Sequence, residues 1–391
     1  MLGNFFEYFL QTGSNDGRLA VLGATSGDTG SAAIAGLRNK KGIDCIILFP
    51  NGRVSNIQER QMTTVTDKNI HCVAIDGTFD DCQDLVKASF NTAQFRDDVH
   101  LGAVNSINWC RVLAQTTYYF WSYIQVTNQD PNIKEVHYSV PTGNFGDVLA
   151  GYYAKQMGLP IGKLIVATNE NDILHRFFTK GTYHRYDIAE TLSPSMDICV
   201  SSNFERYLYH LANNDAQLLT QWMNEFEKTG KLTIADAFLR KAQSDFDSAR
   251  VDTKGTLEII QEYSSKYSYI LCPHSAVGIA AIHQLQLVQP GTVCLATAHD
   301  GKFPDAVQRA IGTVPKPPPE LDALYHLPTR RTELPNDLGA VQAFVRDCIA
   351  RNPSNKKSWM KKITDTKSLL TVASIVGITA ITVKLLASRR R

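Results

Sequence analysis

The chain has 391 residues, 43% of them apolar and 20% charged, with a formal net charge of +2. That length suits about two packed domains, and the near-neutral balance, with no basic-aromatic module, argues against a nucleic-acid partner. Eight cysteines at 45, 72, 82, 110, 199, 272, 294 and 348 show neither the close pairs of a zinc site nor the density of a secreted scaffold. Reduced thiols, a cytoplasmic-facing chain and no metal site are therefore expected.

The first ten residues, from Met1 to Leu10, are aromatic and place their apolar positions on one face, and Gly13-Ser14-Asn15-Asp16-Gly17 closes the run. This predicts a helix. No basic leader or small-residue cleavage site marks it as a secretory signal. A strand at 19–23 then runs into Gly23-Ala24-Thr25-Ser26-Gly27-Asp28-Thr29-Gly30-Ser31, a small polar turn before an alanine-rich helix. Asp28 stands where a Walker loop carries its lysine, and the Gly-x-Gly-x-x-Gly pattern is absent, so neither ATP nor a dinucleotide is indicated. The turn suits a small anion such as an amino-acid carboxylate, with Ser26 and Thr29 donating and Gly27 and Gly30 giving clearance.

Further strands are predicted at 45–49, 71–75, 135–140, 163–168, 269–271 and 292–296, with helical patterns between nearly all of them. That alternation predicts mostly parallel sheets flanked by helices, with ligands beyond the carboxyl ends of the strands. The run at 135–140 ends in Pro141-Thr142-Gly143-Asn144-Phe145-Gly146, ahead of a helix. Two glycines let the backbone approach an anion, and the amides opening a helix point at it with the positive end of the dipole. An ordinary strand-to-helix turn also favours Gly and Asn, so this motif needs the first one beside it. A helix-rich stretch at 203–264 breaks the rhythm, and Pro315-Lys316-Pro317-Pro318-Pro319 ends the α/β body, with two short helical segments after it. The expected domains are 1–134, with the Ser-Gly-Asp-Thr-Gly turn, 135–313, with the phosphate turn, a helical extension at 314–352, and a basic linker and tail at 353–391.

Four stretches, in order, resemble threonine synthase: Gly23 to Ser31 as quoted, Asn105-Ser106-Ile107-Asn108-Trp109-Cys110-Arg111, Pro141-Thr142-Gly143-Asn144-Phe145-Gly146-Asp147, and Ala296-Thr297-Ala298-His299. The resemblance runs from residue 1 to about 352 and is closest to the bacterial and fungal branch. It implies an α/β fold of fold-type II, similar to the tryptophan synthase β subunit, and pyridoxal 5'-phosphate as cofactor. It also implies the last step of threonine biosynthesis, conversion of O-phospho-L-homoserine and water to L-threonine and phosphate. By resemblance Gly143, Asn144, Phe145 and Gly146 cradle the cofactor phosphate and Thr297 meets the pyridine nitrogen, a neutral partner that leaves it unprotonated. Ser26, Gly27, Asp28 and Thr29 line the amino-acid end of the substrate. Asn105, Ser106, Asn108 and Arg111 face its phosphate, with Lys302 a further candidate, and a guanidinium fork suits that dianion best.

The sequence departs from the family in four places. The family's Schiff-base lysine lies in a Phe-Lys-Asp segment just ahead of the stretch matching Leu2-Gly3-Asn4-Phe5-Phe6-Glu7-Tyr8, so no catalytic lysine is assigned here. Lys40 and Lys41 follow a helix, where cations favour its dipole, and are no substitute. Cys272 stands where the family usually has Asp, and Asp300-Gly301 replaces a usual Pro-Ala, which puts a carboxylate beside Lys302. From Ser368 to Val383 the chain is uncharged, followed by Lys384 and a basic end. As a helix this span is about 24 Å long, short of a ~30 Å bilayer core, but Lys384 can snorkel and extend it. A C-terminal hydrophobic helix over 368–388, anchoring the protein to an intracellular membrane, is expected. The alternatives are a catalytically inactive, truncated homologue tethered to a membrane, which binds a ligand or partner without turnover, and a dehydratase of the same fold. The asparagine-arginine motif argues against the dehydratase, whose substrate has no phosphate. Carbonate extraction checks the tail: a tagged protein stays in the membrane pellet, and deletion of 368–391 releases it.

Overall fold

The structure, a computed structural model, describes residues 2–12, 17–25, 27–104 and 108–352. The strands are β1 (Leu19–Ala24), β2 (Ile43–Pro50), β3 (Ile70–Asp76), β4 (Leu101–Gly102), β5 (Val136–Pro141), β6 (Ile161–Thr168), β7 (Thr182–His184), β8 (Lys231–Thr233), β9 (Phe246–Arg250), β10 (Thr292–Cys294) and β11 (Thr332–Pro335). The described residues divide into two compact units, one up to Val104 together with those from Leu327 on, the other up to His326. The division falls at Val104 rather than at 134. The stretch read as a separate extension at 314–352 is shared, its last part belonging to the first unit.

The first unit holds a five-stranded parallel sheet in the order β11-β3-β2-β1-β4. All eight residues of β2 are buried, as a central strand covered on both faces requires. Successive side chains alternate between two cores. Leu22, Ile46, Leu48, Val73 and Ile75 pack with Leu85, Phe95, Val341 and Val345. Val21, Cys45, Ile47, Phe49 and Ala74 pack with Ile34, Leu37 and Met62. Each large side chain so buried contributes about 1.5–3 kcal/mol. Asp44 is the polar exception within β2; its Oδ1 accepts from Asn352 Nδ2 at 2.9 Å and lies 3.4 Å from His71 Nε2, so the buried carboxylate is partnered. After the prolines the sequence predicts only helices, but β11 adds an edge strand to β3 before the helix Leu338–Arg351. Pro335 ends it, the kind of position where a missing N–H costs no ladder bond.

The second unit holds a four-stranded parallel sheet in the order β10-β5-β6-β9 and a small antiparallel pair, β7-β8. The strand β9 lies within the stretch read as helix-rich. Phe246-Asp247-Ser248-Ala249-Arg250 has one bulky apolar residue, and only pairing with Leu164 to Thr168 makes it a strand. The run at 269–271 is not a strand. Tyr269 N closes the preceding helix on Tyr263 O, and Cys272 already caps Pro273–Gln284, which leaves too few residues for a ladder. The helices Phe204–Leu211 and Ala216–Thr229 contribute Phe204, Tyr207 and Phe226 to an aromatic core with Phe145, Phe177, Phe178, Tyr183 and Phe246. That core underlies the turn after β5.

Because β5 and β10 are parallel neighbours, with Ser139 opposite Cys294, the segments that follow them emerge at the same end of one sheet. Among the described residues no helix is long and apolar enough to cross a membrane. The tail expected at 368–388 and its basic linker lie outside the described residues, as do Ser26, Asn105 and Ser106.

Candidate functional site

The turn after β5 has its carbonyl oxygens tied down by side chains and backbone from elsewhere in the unit. Thr142 is buried, its N–H donating to Ala167 O at 2.8 Å and its hydroxyl to Val140 O at 2.6 Å. Gly143 O accepts from Ser201 Oγ at 2.8 Å. Asn144 O accepts from Asn203 N at 3.2 Å and Nδ2 at 2.9 Å, and Asn144 Oδ1 accepts from Ser202 Oγ at 3.1 Å. Phe145 has a φ of 60°, a left-handed conformation that costs about 1–2 kcal/mol for a non-glycine residue. Burial of its ring against Phe204 and Phe246, at centroid distances of 5.1 and 5.4 Å, offsets that strain. The Phe145 side chain is thus part of the core, and only its backbone faces the turn.

The helix Gly146–Gln156 begins there without a side-chain cap. Among the described residues no acceptor takes the N–H groups of Gly143, Asn144, Phe145 or Gly146. Four amides at a helix N-terminus, next to strand-end backbone, form a ready anion site. A Cβ on Gly143 would lie 3.0 Å from Ser195 O and 3.2 Å from Met196 Cα, so a side chain there would require the backbone crossing the turn to shift. Asp147, in the first turn, has Tyr119 OH donating to its carbonyl at 2.8 Å and to Oδ1 at 3.2 Å. Burial raises its carboxyl to about 6 despite that bond.

Thr297 follows β10 at the same end of the sheet and is exposed, while Ser275 and Cys272 behind it are buried. Thr297 N donates to Ser275 Oγ at 3.1 Å, and the two hydroxyl oxygens are 3.2 Å apart. Cys272 Sγ lies 3.2 Å from Ser275 Oγ and 3.5 Å from Thr297 Oγ1. Ser139 ties this helix to the sheet, its hydroxyl donating to Gly278 O at 2.7 Å.

These features have counterparts of known family. The profile of pyridoxal-phosphate dependent enzymes matches residues 3–298, and that of the threonine synthase C-terminal region matches 275–345. The threonine synthase of Pseudomonas aeruginosa is 46% identical over 347 residues, which is 88% of this chain and 73% of that one. The chain belongs to the threonine synthase family. The Schizosaccharomyces pombe threonine synthase is 49% identical over 344 residues, covering 80% of this chain and 66% of its own length. The crystal structure of PLP-bound threonine synthase from Brucella melitensis superposes with a TM-score of 0.85 at 44% identity, covering 89% of this chain and 74% of that one. The chain therefore spans about two thirds of the fungal family members it matches, 66% and 65% of the two with highest identity here. The two parallel sheets flanked by helices are the fold-type II arrangement of this family.

The substrate residues expected from the family fall in both units. In the first, Gly27 has a φ of 143°, and a Cβ there would meet the Gln58 side chain. Asp28 and Thr29 open the helix Asp28–Leu37. The turn is held by Thr25, which the sequence reading missed; its buried Oγ1 accepts from both Gly27 N and Gly30 N at 2.9 Å. In the second unit Asn108 caps the helix Trp109–Gln129, accepting from Cys110 N at 3.0 Å. Arg111, one turn later, is half-buried, and among the described residues no carboxylate pairs with it. Burial pushes its guanidinium below its usual range, as an unmatched cation requires. Lys302 ends the short turn Asp300–Lys302, its N–H donating to His299 O at 3.2 Å. Ser26, Asn105 and Ser106 are outside the described residues. Ser201, Ser202, Asn203 and Ser275 were also missed, because their roles arise from contacts distant in sequence.

Asp147 generates a pH prediction. Its folded value of about 6 exceeds the ordinary 3.8, so between those values the folded state holds the proton more tightly and stability falls as pH rises. Asp147→Asn removes that slope and, above pH 6, raises the unfolding free energy read from urea melts by no more than about 3 kcal/mol, with little difference below pH 4.

Proposed function

We propose that the protein binds pyridoxal 5'-phosphate and converts O-phospho-L-homoserine and water to L-threonine and phosphate. The observation that carries this reading is the set of amides from Gly143 to Gly146, which lack acceptors among the described residues and open a helix. They fit a phosphate arm, and the tight packing around Gly143, which disfavours a side chain, fits close approach of the backbone. The exposed Thr297 hydroxyl, at the same end of the sheet, fits a pyridine nitrogen. When bound, the cofactor supplies an electron sink for carbanions at the substrate's α and β carbons.

This chain's residues bind and orient. The turn amides hold the cofactor phosphate, and Thr297 donates to the ring nitrogen. Arg111, half-buried and without a carboxylate, receives the substrate phosphate with two parallel N–H bonds. Gly27, Asp28 and Thr29, with Ser26, receive the amino-acid end, and Asn105, Ser106, Asn108 and Lys302 take the phosphate-facing roles of the family. Proton transfer at carbon needs a base within hydrogen-bond reach, which in this family is the cofactor-bearing lysine. The resemblance assigns that lysine to none of residues 1–391. A second reading has the same turn hold its ligand without turnover, with the C-terminal stretch tethering the protein to a membrane.

Titration with pyridoxal 5'-phosphate, followed by absorption and borohydride trapping with peptide mapping, tests the first half of the reading. Binding is expected, and Gly143→Val weakens it at least about tenfold because the branched side chain meets Ser195 O. No binding by the wild-type chain would sink the assignment. Phosphate release from O-phospho-L-homoserine tests the second half. Arg111→Ala lowers kcat/KM about a hundredfold while cofactor affinity stays unchanged. Cofactor binding with no phosphate release supports the tethered, non-turnover reading.

A further inference from the structure

The helices Trp109–Gln129, Gly146–Gln156, Phe204–Leu211 and Ala216–Thr229 line a cavity of about 490 Å³ that none of the cofactor or substrate groups above occupies. A cavity of this size takes one small molecule. Trp109, Tyr153, Tyr209 and Leu219 give it aromatic and apolar walls, and Glu205 and Arg206 bring one charge of each sign to the lining. The walls are set in advance. Tyr153 packs edge-on against both Trp109 and His210, at centroid distances of 5.1 and 5.5 Å. His210 Nδ1 donates to Asn214 Oδ1 at 3.0 Å, so in the neutral ring Nε2 is left to accept from the Tyr153 hydroxyl, also at 3.0 Å. Trp109 is nevertheless 46% exposed, so a large ring face beside this ordered wall stays uncovered.

The two charges call for a ligand that carries both. Arg206 presents a planar fork of N–H donors, one of which goes to Asn203 Oδ1, and such a fork suits a carboxylate. Glu205 is exposed, and among the described residues no cation pairs with it. We propose that this cavity is a regulatory site for a free α-amino acid with an apolar or aromatic side chain, its carboxylate on Arg206, its ammonium on Glu205 and its side chain against Trp109, Tyr153 and Leu219. Two lining residues reach the turn after β5. Arg206 holds Asn203, whose N and Nδ2 both donate to Asn144 O, and Ser202 Oγ donates to Asn144 Oδ1. A carboxylate on Arg206 competes with Asn203 for the guanidinium and loosens the hold on Asn144. Occupancy of the cavity therefore weakens cofactor binding, and by linkage the cofactor weakens amino-acid binding by the same factor. That link rests on the cofactor reading above, whereas the amino-acid site stands without it.

Calorimetric titration of the full chain, without cofactor, uses L-phenylalanine as the probe beside three compounds that each lack one of its groups. 2-Phenylethylamine lacks the carboxylate, 3-phenylpropionate the ammonium and L-alanine the ring, and each should bind at least about tenfold more weakly. Arg206→Gln should bring L-phenylalanine down to the affinity of 2-phenylethylamine while changing the amine itself by less than about twofold. Leu219→Trp, which fills the cavity from the helix Ala216–Thr229, should abolish L-phenylalanine binding and alter pyridoxal 5'-phosphate affinity by less than about twofold. Saturating L-phenylalanine should lower cofactor affinity by about three- to tenfold in wild type and not in Leu219→Trp. Absence of L-phenylalanine binding overturns the proposal, as does binding that survives both substitutions, which would place the amino acid in the substrate site. Cofactor affinity unchanged by L-phenylalanine in wild type overturns the regulatory role. Should Leu219→Trp not fold, Arg206→Gln and the ligand series decide. A wild-type chain that binds L-phenylalanine with this selectivity but binds no cofactor upholds the amino-acid site and defeats the cofactor reading with its regulatory link.

Discussion

The second unit is organised around one problem, how to hold a row of backbone amides at the end of β5 without pairing them internally among the described residues. A buried N–H left unmatched costs free energy, so such a row persists only where the surrounding structure over-determines it or a ligand satisfies it. Here the opposing carbonyls are tied down instead. Ser201, Ser202 and Asn203 take up the oxygens of Gly143 and Asn144. The buried Phe145 ring locks a left-handed backbone that the chain would otherwise avoid. Orientation of the amides follows from what holds the carbonyls and the ring.

The helix-rich stretch after β7 gains its meaning from that constraint. Phe204 and Tyr207 pack on Phe145, while the residues just ahead of them supply the hydroxyl and amide donors to the turn. One short segment therefore seals the core beneath the turn and bonds the turn's oxygens. The same economy holds at the neighbouring strand end. Cys272 caps the helix Pro273–Gln284 by accepting from Ser275 N, and both residues also reach Thr297 after β10, so the start of the helix and the placement of an exposed threonine are linked.

Family membership and the geometry of this unit point toward the same phosphate-bearing cofactor by independent routes. The family supplies the expectation of a ring and an aldehyde, while the amides, the crowded Gly143 and the exposed Thr297 supply surfaces of matching chemistry. Asp147 sits awkwardly in that setting. An acidic residue in the first turn of a helix complements its dipole, but burial opposes ionisation more than the Tyr119 hydrogen bond favours it, and a phosphate nearby would oppose it further.

Much of the fold was legible because its determinants are local. Continuous apolar runs such as Ile43–Pro50 can be satisfied only by a central parallel strand, and glycine-bounded turns ahead of alanine-rich or apolar helices mark the strand ends. Strands β9 and β11 were illegible because Phe246–Arg250 and Thr332–Pro335 carry little β signal of their own and become strands by pairing with β6 and β3. The spurious strand at 269–271 shows the converse, a short apolar run that links two helices, with Leu271 buried and Tyr269 exposed. Sequence alone determined which backbone could approach an anion, since that depends on glycine and on helix starts. Only the tertiary structure decided that Phe145 turns into the core, that Thr25 rather than an exposed hydroxyl holds the first turn, and that Cys272 and Ser275 stand behind Thr297. Those outcomes depend on partners far along the chain, and hydrogen bonds and burial between distant residues leave no periodicity to read.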